Sequence, residues 1–263
     1  MINLHNKLFN TNPFLIHLNG SHLKNSKGRK FRSEVFNFMD KNVYGGNGGI
    51  RDTTYFTCST YESKETNLEK SLKFFKVPYV LKGRGIKNWE NPMKAGLLAE
   101  YLPQINTKYT MGIDSHDVFL IRDANQLIDT FEKDFDCDMV FNGELISYPL
   151  NKELENFEKE KYKSSPFHYL NSGVWIAKTD FLKSVINDIL TLKSSRPKSD
   201  QEIYRKLHKK YYPSIQIDYQ CRLFQTTCES CFDVNNPERK ETAYKIEIDK
   251  TEDFNYNLDL IKC

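Results

Sequence analysis

No stretch of this chain approaches the roughly 20 consecutive apolar residues that a membrane span requires, and the mean hydropathy of -0.64 agrees. The first residues, Met1-Ile2-Asn3-Leu4-His5, lack the charged start and long apolar run of a secretory signal. A soluble, cytoplasmic protein without a membrane partner is the expectation. Neither sign of charge dominates: 38 Lys and Arg against 35 Asp and Glu leave a formal +3. That balance does not ask for a nucleic-acid partner. Two basic runs, 24–32 and 206–210, are local, and the second reads as a solvated helix face. Internal repeats and low-complexity tracts are missing. So is the apolar-poor composition of a disordered chain, since 39% of residues are hydrophobic, with 18 Phe and 15 Tyr. Without a secretory segment the six cysteines are expected as reduced thiols. Cys228 and Cys231 have half the spacing of a zinc site, but no second Cys-x-x-Cys completes it.

What the chain does have is alternation. Its 263 residues fit one large α/β domain. The Gly-rich stretch 44–49 is the clearest linker. Residues 54–60, β-branched and aromatic, predict a buried strand. Leu68, Leu72 and Phe75 at helical spacing predict a helix over 62–75. A strand over 77–81 follows, then a helix opened by Asn91-Pro92-Met93 with Leu97, Leu98, Tyr101 and Leu102 on its inner face. Strands at 109–113 and 118–121, a helix near 125–135 and a strand at 138–141 continue the pattern. Such alternation means a mostly parallel sheet with helices on both faces. Ligands of such sheets lie beyond the carboxyl ends of the strands, so chemistry is expected just after them.

The segment Tyr109-Thr110-Met111-Gly112-Ile113-Asp114-Ser115-His116-Asp117 is an apolar strand ending in two acids three residues apart. On a tight turn, Asp114 and Asp117 point at one hard divalent ion, which also bridges a substrate diphosphate. A bare D-x-x-D on an arbitrary surface is usually a solvated turn; its place at a strand's end favours the metal. Further along, Leu170-Asn171-Ser172-Gly173 reads as a polar turn entering an apolar strand, with Asn and Ser groups suited to sugar hydroxyls. Asp200 and Gln201 begin the helix over 202–208, where an acid is commonly only a cap. Glu144 ends a strand, and pairing with a Lys is its plain alternative.

Asp114-Ser115-His116-Asp117 resembles the metal-binding motif of nucleotide-sugar glycosyltransferases with the GT-A fold, and more narrowly that of the glycosyltransferase domain of procollagen lysyl hydroxylases. An ordered set of segments resembles the same domain: Thr57-Cys58-Ser59-Thr60, Lys94 opening its helix, Phe141-Asn142-Gly143-Glu144, Leu170-Asn171-Ser172-Gly173, Asp200-Gln201, and Ile217-Asp218 leading to Phe224-Gln225. The chain departs from the family in a shortened acidic run at Ser199-Asp200, in His116 standing for a Tyr, and in Tyr148 standing for a Trp. The family's third metal ligand, a His in an apolar-His-x-Asn-Gly element near the domain's C-terminal end, has no counterpart after Gln225. The element occurs instead at Phe14-Leu15-Ile16-His17-Leu18-Asn19-Gly20, with Lys24 following. The expectation is a circular permutation, with residues 1–50 as the moved element joined through the Gly-rich linker. An ordinary core or surface histidine is the plain alternative for His17.

The resemblance implies one GT-A-like domain over 1–263, acting as a metal-dependent hexosyltransferase. UDP-glucose is the implied donor and galactosylhydroxylysine of collagen-like chains the implied acceptor. The galactosyl step onto hydroxylysine and a nucleotide-sugar hydrolase are the alternatives. Asp114, Asp117 and His17 are expected to hold Mn²⁺, since an imidazole among carboxylates favours it over Mg²⁺. Thr60, Trp89, Ser115, His116 and Gly20 are expected around the nucleotide, Lys24 at the diphosphate, Lys94 supporting the donor, and Gln201 beside the sugar. Asp200, Glu144 and Asn171 are the implied catalytic group, orienting sugar and acceptor. A homodimer is left open.

Overall fold

The computed structural model describes residues 4–6, 8–19, 26–46, 52–227 and 246–248. Its centre is a six-stranded sheet of β3 (Thr53–Cys58), β4 (Val80–Lys82), β5 (Tyr109–Asp114), β7 (Met139–Glu144), β8 (Tyr169–Lys178) and β9 (Ile215–Asp218). The order is β4-β3-β5-β8-β7-β9. Five strands share one direction, and β8 runs against both of its neighbours. The mostly parallel α/β sheet read from the sequence is therefore the architecture present.

Strand side chains alternate between faces, and the core divides accordingly. Tyr55, Met111, Val140, Val174 and Ile176 enter one buried cluster, while Phe56, Met139, Phe141, Trp175 and Ala177 enter the other. The second cluster is closed by α3 (Met93–Tyr101), α6 (Thr179–Thr191) and α7 (Gln201–Tyr211), through Ala95 and Leu98, Leu182 and Val185, and Leu207. The first holds residues of α1 (Ser26–Lys41), α2 (Asn67–Phe74) and α4 (Ala124–Asp134). It also holds a second, three-stranded sheet: β10 (Phe224–Thr227), β2 (Leu15–Leu18) and β6 (Val118–Leu120), in that order. A short strand β1 (Leu4–Asn6) pairs antiparallel with β11 (Ile246–Ile248), and α5 (Lys152–Lys161) lies between β7 and β8 in the chain.

Three local expectations change. The helix expected from residue 62 starts at Asn67, because Thr66 closes a capping box. Its hydroxyl accepts from Glu69 N (3.2 Å) while Glu69 Oε2 accepts from Thr66 N (2.9 Å), which fixes the first turn there. The second strand runs Val80–Lys82 rather than over 77–81. Asn171-Ser172-Gly173 is no turn: it lies inside β8, where the pairing with β7 steps from Phe141–Trp175 to Asn142–Asn171. The β8 residues between the two pairs form a bulge, a device that re-aims side chains beside a site. Cys58, Cys137 and Cys221 are buried free thiols. Cys228 and Cys231, and most of the Gly-rich linker, lie outside the described residues, as do Gly20 and Lys24.

Candidate active site

β5 carries Asp114 as its last residue, and β6 begins immediately after Asp117. The start of α2 holds the intervening turn from behind: Leu68 N donates to Ser115 O (3.1 Å), and the Asn67 side-chain amide donates to His116 O. β2 runs antiparallel to β6, with His17 opposite Val118, and Leu18 N donates to Asp117 O (2.8 Å). On its other edge β2 is parallel to β10, with His17 opposite Thr226. These registers set the His17 imidazole beside the acid turn. One ligand atom from each of His17, Asp114 and Asp117 lies within 4.8 Å of the others.

His17 is 2% exposed and neither ring nitrogen makes a hydrogen bond of good geometry among the described residues, although Nε2 stands 3.3 Å from Asp117 Oδ2. An imidazole buried without hydrogen bonds is costly. One nitrogen and two carboxylates, partly open to solvent, form a donor set that a divalent ion satisfies. Burial opposes protonation of His17, but Asp117, with Asp114 and Glu144 behind it, outweighs burial and holds its pKa above the ordinary value. The same field attracts a metal cation. Gly173, in the β8 bulge, leaves space for the ring: a Cβ there would stand 2.4 Å from His17 Cε1.

Lys94, in the first turn of α3, reaches across this cluster. Its Nζ stands 2.8 Å from Asp114 Oδ1 and 2.8 Å from Asp200 Oδ2. Burial disfavours the ammonium, yet the two carboxylates hold its pKa well above the ordinary lysine value. Asp200 precedes α7 but makes no side-chain cap bond. Instead it faces Lys94 and accepts from Ser172 Oγ (3.2 Å). The cap reading therefore fails, because the carboxylate has turned from the helix to the cleft. Lys94, Asp114, Ser172, Trp175, Asp200 and Tyr204 line a small cavity of about 20 Å³, room for roughly one water.

Glu144 is buried and accepts from three amides: Asn19 Nδ2 (2.8 Å), Asn171 Nδ2 (3.0 Å) and Gln201 Nε2 (2.5 Å). The carboxylate gathers β2's end, the β8 bulge and the start of α7 around one point. Asn171 Oδ1 accepts in turn from Gly173 N (2.9 Å), and Gln201 Nε2 also donates to Tyr148 O (2.8 Å).

Thr60, Trp89 and His116 follow β3, β4 and β5, all at one end of the sheet. Thr60 O accepts from Gly85 N (3.3 Å), and the Trp89 indole lies over Gly83, which has φ +87. Ser115 Oγ is buried without a partner among the described residues. The His116 ring lies 4.4 Å from that of Tyr61, whose backbone is held by Ser59 Oγ and by Arg84 Nη1. Sequence reasoning passed over Tyr61, which carries no motif signal. It quoted Gly173 without its role, which only the approach of His17 reveals.

A family profile described as the PLOD GT domain matches residues 54–254. No curated protein matches the chain. Among solved structures, the chain is similar to a glycosyltransferase involved in the glycosylation of the major capsid of PBCV-1, at 14% identity and a TM-score of 0.43, over 63% of this chain and 81% of that one. It is also similar to a protein from STIV, at 14% identity and a TM-score of 0.38, over 60% of this chain and 78% of that one. The profile covers well over half of the residues, from β3 to beyond Gln225; the chain belongs to the PLOD GT-domain family of glycosyltransferases.

Proposed function

We propose that the chain is a metal-dependent hexosyltransferase that moves glucose from UDP-glucose to galactosylhydroxylysine of collagen-like proteins. The observation that carries the metal dependence is the convergence of His17, Asp114 and Asp117 from two sheets. These three residues hold Mn²⁺, and His17 enters through a permuted element, residues 1–50, that takes the place of the family's C-terminal segment. Two facts support the permutation: the family profile begins only at residue 54, and β2 is paired on both edges, by β10 and β6.

When bound, Mn²⁺ supplies positive charge against the charge that develops on the departing UDP. The protein's own groups do the rest. Thr60, Trp89, Ser115 and His116 shape the nucleotide site. Lys94, already cationic between Asp114 and Asp200, keeps a positive charge beside the metal ligands. Asp200 and Ser172 share one wall of the cavity with Lys94, where a donor sugar hydroxyl finds both acceptor and donor groups. Glu144, saturated by amides, orients Asn171 and Gln201 rather than standing free as a base. That suits transfer with retained anomeric configuration, which needs no strong general base.

The deciding experiment is UDP release from a panel of nucleotide sugars, with and without Mn²⁺, on deglycosylated and galactosylated collagen peptides. UDP-glucose with the galactosylated peptide is expected to be fastest, and Asp114→Ala and Asp117→Ala are each expected to remove the metal-dependent part. Preference for a GDP- or CDP-sugar, or full activity in both variants, overturns the reading. UDP release without glycan product points to a hydrolase.

A further inference from the structure

The three-stranded sheet has a second end. β2 runs from Leu15 towards His17, β10 runs parallel to it and β6 antiparallel. Residues just before β2, just before β10 and just after β6 therefore meet at the end remote from the acid pair. They form a groove of about 390 Å³, lined by Phe9, Asn12, Phe14, Arg122, Asp134 and Arg222 among others. That volume falls within the range of small-molecule sites, about 300–1,000 Å³.

The groove's walls are built rather than loose. Thr11 Oγ1 donates to Cys221 O (2.9 Å) and Gln220 O (3.2 Å), which ties the segment before β2 to the turn before β10. Asp218 holds that turn, accepting from Arg222 N (2.8 Å), Leu223 N (2.7 Å) and Phe224 N (2.9 Å). Asn10 and Cys221 both have left-handed backbones, with φ of 54° and 51°. Such backbones are rare for residues other than glycine and tend to mark functional places. Here both flank one groove.

Its charge is unbalanced. Two guanidinium groups face one carboxylate among the lining side chains. Arg222 Nη1 stands 3.3 Å from Asp134 Oδ2. Arg122 lies 4.1 Å from the centre of the Phe14 ring, donates to Gln126 Oε1 (3.3 Å) and to Asn12 O, and makes no ion pair among the described residues. Burial draws its pKa below the usual arginine value, with Asp123 opposing only in part. A guanidinium has five N–H donors, so both arginines keep donors for a ligand. Forked N–H pairs match the two oxygens of a carboxylate or phosphate.

We propose that this groove is a second binding site, for a small oxyanion held between Arg122 and Arg222. The oxyanion is a carboxylate or phosphate monoester, as on an acidic sugar or a sugar phosphate. The site is separate from the donor site and does not depend on it.

Saturation-transfer NMR on the full chain tests this, in EDTA and at fixed ionic strength, with glucose 6-phosphate, glucuronate and neutral glucose as probes. Binding of either acidic probe with none of glucose is expected, and the stronger of the two identifies the oxyanion's source. Arg122→Gln and Arg222→Gln are each expected to weaken binding by about tenfold, as loss of a charged hydrogen bond implies. Asp134→Asn is expected to tighten it several-fold, an effect that damage to the fold does not produce. Equal binding of glucose, or no tightening in Asp134→Asn, overturns the proposal. Because no metal or nucleotide is present, failure here leaves the transferase reading standing, and failure of UDP-sugar turnover leaves this one standing.

Discussion

Gly173 backs directly onto the imidazole of His17: a Cβ on the glycine would lie 2.4 Å from Cε1 and 2.9 Å from Nδ1. The β8 bulge brings the backbone this close, and only a residue without a side chain leaves the ring where it is. Gly173→Ala is therefore expected to push His17 away from Asp117 while leaving the sheet paired. Mn²⁺ affinity should fall by about 10–100-fold, the usual effect of disturbing a group that orients a ligand. A Mn²⁺ titration followed by electron paramagnetic resonance measures this, and unchanged affinity would separate His17 from the metal.

Lys94 bridges two carboxylates at once, Asp114 and Asp200. In Lys94→Met, the two acids face each other without a cation between them. The site is partly exposed, so the metal-free protein is expected to lose about 1–3 kcal/mol, less than a fully buried pair costs. A bound cation substitutes for part of that charge, so Mn²⁺ should stabilise Lys94→Met more than the wild type. Urea denaturation with and without Mn²⁺ checks both halves, and equal Mn²⁺ effects in the two proteins contradict the second.

Arg205 and Glu158 form a fully buried ion pair that ties α7 to α5, with Arg205 Nη2 2.7 Å from Glu158 Oε2. Arg205 Nη1 also donates to Pro149 O (2.7 Å), beside the loop that Gln201 holds through Tyr148 O. Glu158→Gln leaves a buried guanidinium without its counter-charge, and about 3–5 kcal/mol of stability should go with it. Arg205→Met with Glu158→Leu should recover much of the loss in equilibrium denaturation, since the cost lies in the stranded charge.

His208 is buried against Tyr162, whose hydroxyl lies 2.9 Å from Nε2. Burial, reinforced by the charge of Arg205, pushes its pKa down to about 3. The unfolded chain binds this proton near pH 6.5 while the folded chain does not. Its contribution to stability is therefore whole above about pH 6.5 and lost progressively as pH falls towards 3. Between pH 7.5 and 5 the protein should lose about 2 kcal/mol through this residue alone. His208→Phe should flatten that part of the profile, and an unchanged slope would assign the acid sensitivity elsewhere.

Strand and helix alternation was legible because it is local: apolar runs of strand length and helical spacings lie within single windows of the chain. The capping box at Thr66-x-x-Glu69 was legible in the same way, yet apolar spacing alone set the helix start too early. The bulge in β8 was not legible. Asn171-Ser172-Gly173 has the composition of a turn, and only the ladder to β7, which resumes at Asn171, carries the strand through it.

By itself the sequence determined an α/β sheet, a pair of acids at a strand's end and the residue types a metal needs, since each depends on neighbours in the chain. The tertiary structure alone decided what those residues meet. His17 reaches Asp117 only because β2 inserts between β6 and β10. Asp200 leaves its helix end for Lys94 and Ser172, and Glu144 collects three amides from three separate elements. A carboxylate's role follows from which partner arrives within about 3 Å, and chain segments far apart in sequence supply those partners. The groove between Arg122 and Arg222 arises likewise, from strand ends that share no sequence window.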